Sequence, residues 1–117
     1  MGYYTYHTLK VRNVLPNEEE ALVEAMKELD IIPYALSDVP YHYDANCVAC
    51  SGDDAVKWYE HEEDMLELSK MFPLMIFKLH GEGEESGDLW NCYYRNGESE
   101  ECRAEIMLPE PKTIPWD

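Results

Sequence analysis

The sequence predicts an α+β fold, with two helices packed on one face of a largely antiparallel sheet. Three observations carry that prediction. Two segments, Asn17–Asp30 and Glu60–Phe72, place apolar residues at helical spacing. The N-terminal segment alternates with a two-residue period and is rich in Tyr, Thr and Val. Near the C-terminus, two alternating segments flank Asn96-Gly97, a pairing that marks a hairpin.

Taken in order, Tyr3–Arg12 reads as the strand that opens the sheet. Pro16 and Asn17 lead into the first helix, where Asn17 is the expected N-cap and Glu20 completes a capping-box spacing. Leu22, Ala25, Met26 and Leu29 form its apolar stripe, and Glu18, Glu19 and Glu20 sit where the helix dipole favours anions. A short strand is expected over Ile31–Leu36. Pro40 and the turn-like stretch DANCVACSGDD then interrupt regular structure until a second short strand at Ala55–Tyr59. The second helix carries His61, Met65, Leu68 and Phe72 on one face, and Pro73 ends it. Leu74–His80 is a nearly continuous apolar run of strand length.

In the hairpin, a three-residue connection of Asn96, Gly97 and Glu98 pairs Arg95 with Ser99, Cys92 with Cys102 and Trp90 with Ala104. That register sends Trp90, Cys92, Tyr94, Cys102, Ala104, Ile106 and Leu108 to one face. Residues 1–108 are expected to form one domain, and residues 109–117, with three prolines, an extended tail anchored by Trp116. The order strand, helix, strand, strand, helix, strand resembles the ferredoxin-like double βαβ arrangement with an extra C-terminal hairpin strand.

Twenty-five acidic residues against nine Lys and Arg give a formal charge of −16. A phosphate backbone or an anionic membrane would repel such a surface, so the expectation is no direct nucleic acid and no membrane. No apolar run approaches the roughly 18 residues of a membrane span, and MGYYTYHTLK lacks the basic and apolar regions of a signal peptide, so a cytoplasmic location is expected. The same charge suits a basic partner, or serves solubility alone. The four cysteines are then expected to be reduced thiols.

Cys47 and Cys50 form a CxxC whose spacing suits zinc, and the hairpin register makes Cys92 and Cys102 neighbours that would complete a four-sulfur site. The same register turns the second pair onto the apolar face, where unpaired cysteines act as small hydrophobes, so no cofactor or metal is assigned. His7, His42, His61 and His80 have no metalloprotease or phosphohydrolase spacing, and His61 falls on the apolar face of its helix. Two further carboxylate clusters are Glu60, Glu62, Glu63 and Asp64 at the second helix start, and Glu82, Glu84, Glu85 and Asp88 before the hairpin. Neither has the ligand order of a calcium loop, and no nucleophile elbow or phosphate loop is present, so the expectation is a non-enzymatic protein.

The segment KWYEHEEDMLELSKMFP followed by FKLHGEGEESGDLWNCYYRNG resembles a pattern in small, mostly uncharacterised proteins of phages, prophages and bacteria. The resemblance spans Lys57–Gly97 and implies a ferredoxin-like domain and a phage neighbourhood; it brings no catalytic residues with it. Joined to the charge, it leads to the expectation of a phage-type inhibitor of a host factor, an antidefence or anti-CRISPR-like protein that mimics nucleic-acid charge. Its contacts to a basic, nucleic-acid-binding host protein would be Glu18, Glu19, Glu20, Glu60, Glu62, Glu63, Asp64, Glu82, Glu84, Glu85 and Asp88. The alternative is a regulatory or housekeeping module that binds a small ligand or another phage protein through its sheet, with Tyr3, Tyr4, Tyr6, Tyr93 and Trp90 as aromatic surface. An exposed aromatic patch would favour the second reading, and an acidic patch continuous over both helix starts the first. Homodimerisation is common among small proteins and stays open.

Overall fold

The computed structural model describes residues 4–37, 40–85, 87–104 and 112–114. Its elements are β1 (Thr5–Arg12), α1 (Glu19–Glu28), β2 (Tyr41–Asp44), β3 (Cys47–Ser51), α2 (His61–Met71), β4 (Ile76–Gly83), β5 (Leu89–Arg95) and β6 (Glu98–Arg103). They form an α+β architecture in which one open sheet runs in the order β2-β3-β1-β4-β5-β6, with every neighbouring pair antiparallel.

Alternation divides the sheet into two faces. His7, Leu9 and Val11 of β1, Phe77 and Leu79 of β4, and Trp90, Cys92 and Tyr94 of β5 are buried on one of them. The apolar ones share a single core with Leu22, Ala25 and Met26 of α1 and with Met65 and Leu68 of α2, so both helices cover that face. The cross-strand neighbours Tyr6–Glu82, Thr8–His80, Lys10–Lys78 and Arg12–Ile76 point the other way. Among the described residues no helix covers that second face, called the open face below.

Several expectations change. Ile31–Leu36 is a compact turn: the Met26 carbonyl accepts from the Ile31 and Ile32 amides, and the Ile31 carbonyl accepts from Ala35 and Leu36. Its apolar residues are buried as a plug under the core, and a short apolar run has no period by which to tell a plug from a strand. The stretch expected to be turn-like holds β3 and the last residue of β2 instead, joined through Ala45 and Asn46, with Asn46 at φ 58. The Ala55–Tyr59 strand shrinks to one bridge between Val56 and Thr5. At α1 the cap position falls on Glu18 without a side-chain cap bond, and the Glu18 carboxylate accepts from the Leu15 amide instead of an Asn17–Glu20 box forming.

The hairpin register slips by one residue. Asn96 (φ 46) and Gly97 (φ 82) make a two-residue turn of the primed type, so Arg95 pairs with Glu98, Cys92 with Glu101 and Asn91 with Cys102. Trp90, Cys92 and Tyr94 keep their buried face, while Cys102 and Ala104 are exposed and all of β6 is solvent-facing. Tyr3, Ile106, Leu108, Trp116 and most of the expected tail lie outside the described residues. Among the described residues no helix is long and apolar enough to cross a membrane.

Candidate functional site

The open face carries an arrangement that needs a physical reason. Lys10 on β1 and Lys78 on β4 are directly opposed, and Arg12 stands one step further along β1 on the same face. Like charges directly opposite destabilise a strand pair. In a chain with 25 carboxylates, a neutralising partner would be easy to supply, yet among the described residues none of these three cations forms an ion pair.

The three cations line a cleft of about 360 Å³ with Tyr43, Ile76 and Tyr93. Tyr93 is on β5, beside Lys78 in the register. Tyr43 comes from β2, where the pairing with β3 shifts between His42 and Asp44. A bulge of this kind re-aims a side chain, and here it accompanies a Tyr43 ring lying under the Lys10 ammonium at 5.2 Å. Burial pushes the Tyr43 phenol above its ordinary range, against a hydrogen bond from the Arg12 guanidinium that favours the opposite direction. Ala49, opposite Lys10 on β3, is completely buried. A neighbouring hollow shares Ile76 and Tyr93 and continues toward Arg95, Glu98 and Glu100, so the cleft meets carboxylates at its β6 side. Chemically, the cleft offers fixed positive charge, guanidinium and ammonium donors, and two aromatic walls.

A second pocket, of about 190 Å³, lies at the other end of β1 and is lined by His7, Trp58, His61, Asp88, Trp90 and Arg103 among others. His61 stacks on Trp90 with ring centroids 4.9 Å apart, and His7 meets Trp58 edge-on at 5.1 Å. Burial, with the nearby His61, drives the His7 pKa down to about 4, and burial lowers that of His61, so both imidazoles are neutral at pH 7. Gly81 underlies this packing, since a Cβ there would stand 2.1 Å from the Trp90 ring. Trp58 Nε1 donates to Asp64 at 2.7 Å and Asp88 receives Arg103 at 3.4 Å, which ties the pocket wall together. This cluster fastens α2 to the sheet.

The expected acidic contacts are separated. Glu18, Glu19 and Glu20 lie beyond the Arg12 end of β1. The Glu60–Asp64 run opens α2, whose His61 lies against His7, and Glu82, Glu84, Glu85 and Asp88 lie at the Thr5 end of β1. Many are engaged within the fold. Glu19 meets His42 at 2.7 Å, Glu62 meets Ser99, Glu82 meets His80, and Glu84 accepts from the Tyr4 amide. Glu20, Glu60 and Glu63 are exposed.

The four cysteines do not converge. Cys47 and Cys50 are on β3, three strand positions from Cys92, which faces Glu101 and not Cys102. Burial pushes the Cys50 thiol up to about 11 and also raises that of Cys92, as expected of small hydrophobes in a core. Among the described residues no group of three or more His, Cys, Asp or Glu is placed to hold a metal ion.

Sequence reasoning missed Lys10, Arg12, Lys78 and Tyr43. The signal present was the KxR alternation of β1, which puts Lys10 and Arg12 on one face. No protein-family model matches this chain, and no curated protein or solved structure matches it.

Proposed function

We propose that this chain is a ferredoxin-like unit, extended beyond β4 by the β5–β6 hairpin, that acts as a non-enzymatic module binding a small anionic ligand on the open face of its sheet. The observation that carries this reading is the opposed pair Lys10 and Lys78, which among the described residues has no carboxylate partner beside Arg12. Such a pair costs stability in the free protein and is relieved when an anion sits between the charges. The first four strands and both helices follow the order β2-β3-β1-β4 expected of such a unit, and both described helices lie on one face of the sheet.

Exposed aromatic surface adds support. Tyr6, Tyr41 and Tyr43 are 52%, 51% and 38% exposed, on strands of this sheet. The charge-mimic reading draws less support, because many members of its acidic clusters already have intramolecular partners.

Titration with pyrophosphate at low ionic strength, followed by amide chemical shifts, tests the proposal. Shifts are expected to concentrate at Lys10, Arg12, Lys78 and Tyr93. Lys78→Met should weaken binding roughly tenfold, the equivalent of one lost charge-assisted contact. The same substitution should stabilise the free protein by about 0.5 kcal/mol, because it removes the lysine opposition. Shifts scattered over the surface, or a Lys78→Met protein that binds equally well, would refute the site.

A further inference from the structure

We infer that the ligand of this cleft is a mononucleotide-type molecule, a flat heteroaromatic ring joined to a phosphate, rather than a bare anion or a polymer. This rests on the proposed anion-binding role and specifies its ligand. Three features of the cleft support it.

The first is the division of labour along the open face. Lys10, Lys78 and Arg12 cluster on the two central strands, while Tyr43 and Tyr93 flank them from β2 and β5. A bare phosphate uses only the cations. Tyrosine side chains lining both sides of a cation cluster match a ligand with a π surface next to its negative charge, since aromatic side chains stack on any base. The second is size. At about 360 Å³ the cleft falls near the lower end of small-molecule sites, which run from about 300 to 1,000 Å³. One nucleotide suits that space.

The third is the boundary. Tyr93 pairs with Glu100 and Arg95 with Glu98, so a strand of nucleic acid leaving the cleft toward β6 would meet two carboxylates. At the opposite edge β2 ends on Asp44. Glu82 stands beside Tyr6 further along the face. Each additional phosphate of a polymer would therefore meet negative charge, while a single phosphate stays over the lysines.

Calorimetric titration with inorganic phosphate, AMP and a 12-nucleotide single-stranded DNA, in parallel on the wild-type chain, Tyr93→Leu and Lys78→Met, tests the inference. AMP is expected to bind at least roughly tenfold more tightly than phosphate, a ratio that stacking on one aromatic ring supplies. Tyr93→Leu should erase that advantage and leave phosphate binding unchanged, while Lys78→Met should weaken both ligands. Thermal melts verify that each variant is folded, and Tyr43→Leu repeats the test at the other wall should Tyr93→Leu fail to fold. Equal affinity for AMP and phosphate overturns the nucleotide inference and leaves the anion site standing. Binding of neither overturns both. Tighter binding of the DNA than of AMP overturns the single-nucleotide limit.

Discussion

His7 is 2% exposed, hemmed in by Trp58, Trp90 and His61, and its pKa of about 4 lies well below the ordinary 6.5. The unfolded chain therefore binds a proton near pH 6.5 that the folded chain refuses until about pH 4. The stability due to neutral His7 is complete above pH 6.5, declines as pH falls from 6.5 toward 4, and is exhausted below that. The total is on the order of 3 kcal/mol. Urea unfolding of the wild-type chain and of His7→Leu, measured at several values between pH 7.5 and 4, should show the variant losing about that share of the pH dependence. A parallel decline in both proteins would mean that His7 is not the group responsible. At this same scale the sequence was partly legible: a histidine between strand residues Tyr6 and Thr8 on the inward parity of β1 is a core histidine, whereas its contact with His61 depends on packing across 54 positions of chain, which no local pattern encodes.

Elements were legible where a period or a turn signal was long enough to be unambiguous. Both helices, β1 and the buried face of β5 follow from periodicity, and β4 from an apolar run of strand length; all are found. β2 and β3 escaped because YHYD is exposed throughout and CVACS is too short and too uniformly buried to alternate. The hairpin shows how small the margin is. Counting Glu98 into the loop instead of the strand moved Cys102 from solvent to core on paper, and the positive φ values of Asn96 and Gly97 set the two-residue loop that puts it back. The turn is also held from outside: the buried Ser69 hydroxyl accepts from the Gly97 amide at 2.9 Å and donates to the Leu66 carbonyl at 2.7 Å. Ser69→Ala should therefore cost about 1–2 kcal/mol in urea unfolding and speed hydrogen exchange of the turn amides, because the Gly97 donor loses its acceptor. Unchanged exchange at Gly97 would show that the hairpin registers itself without α2. The cleft stayed invisible for the same reason as the slipped register: Lys10 and Lys78 are 68 positions apart and meet only through the β1–β4 pairing.

For the molecule as a whole, a formal charge of −16 and a cationic cleft make opposite demands on salt. Self-repulsion among the carboxylates weakens the folded state and is screened by added salt, while attraction between the cleft and an anion is screened as well. Raising sodium chloride from 10 to about 200 mM, across which the Debye length falls from about 30 Å to below 10 Å, should raise the melting temperature and lower ligand affinity. If both moved in the same direction, the negative surface and the cleft would not be electrostatically distinct. The two rims of the sheet carry a further consequence. β2 and β6 are exposed along their whole length; β6 carries Glu98, Glu100 and Glu101, and β2 ends on Asp44. A backbone offering itself for pairing there would have to bring its own strand against those carboxylates, a known protection against edge-to-edge growth. The carboxylates of β6 thus disfavour fibril growth and any partner that would dock by extending the sheet at that rim.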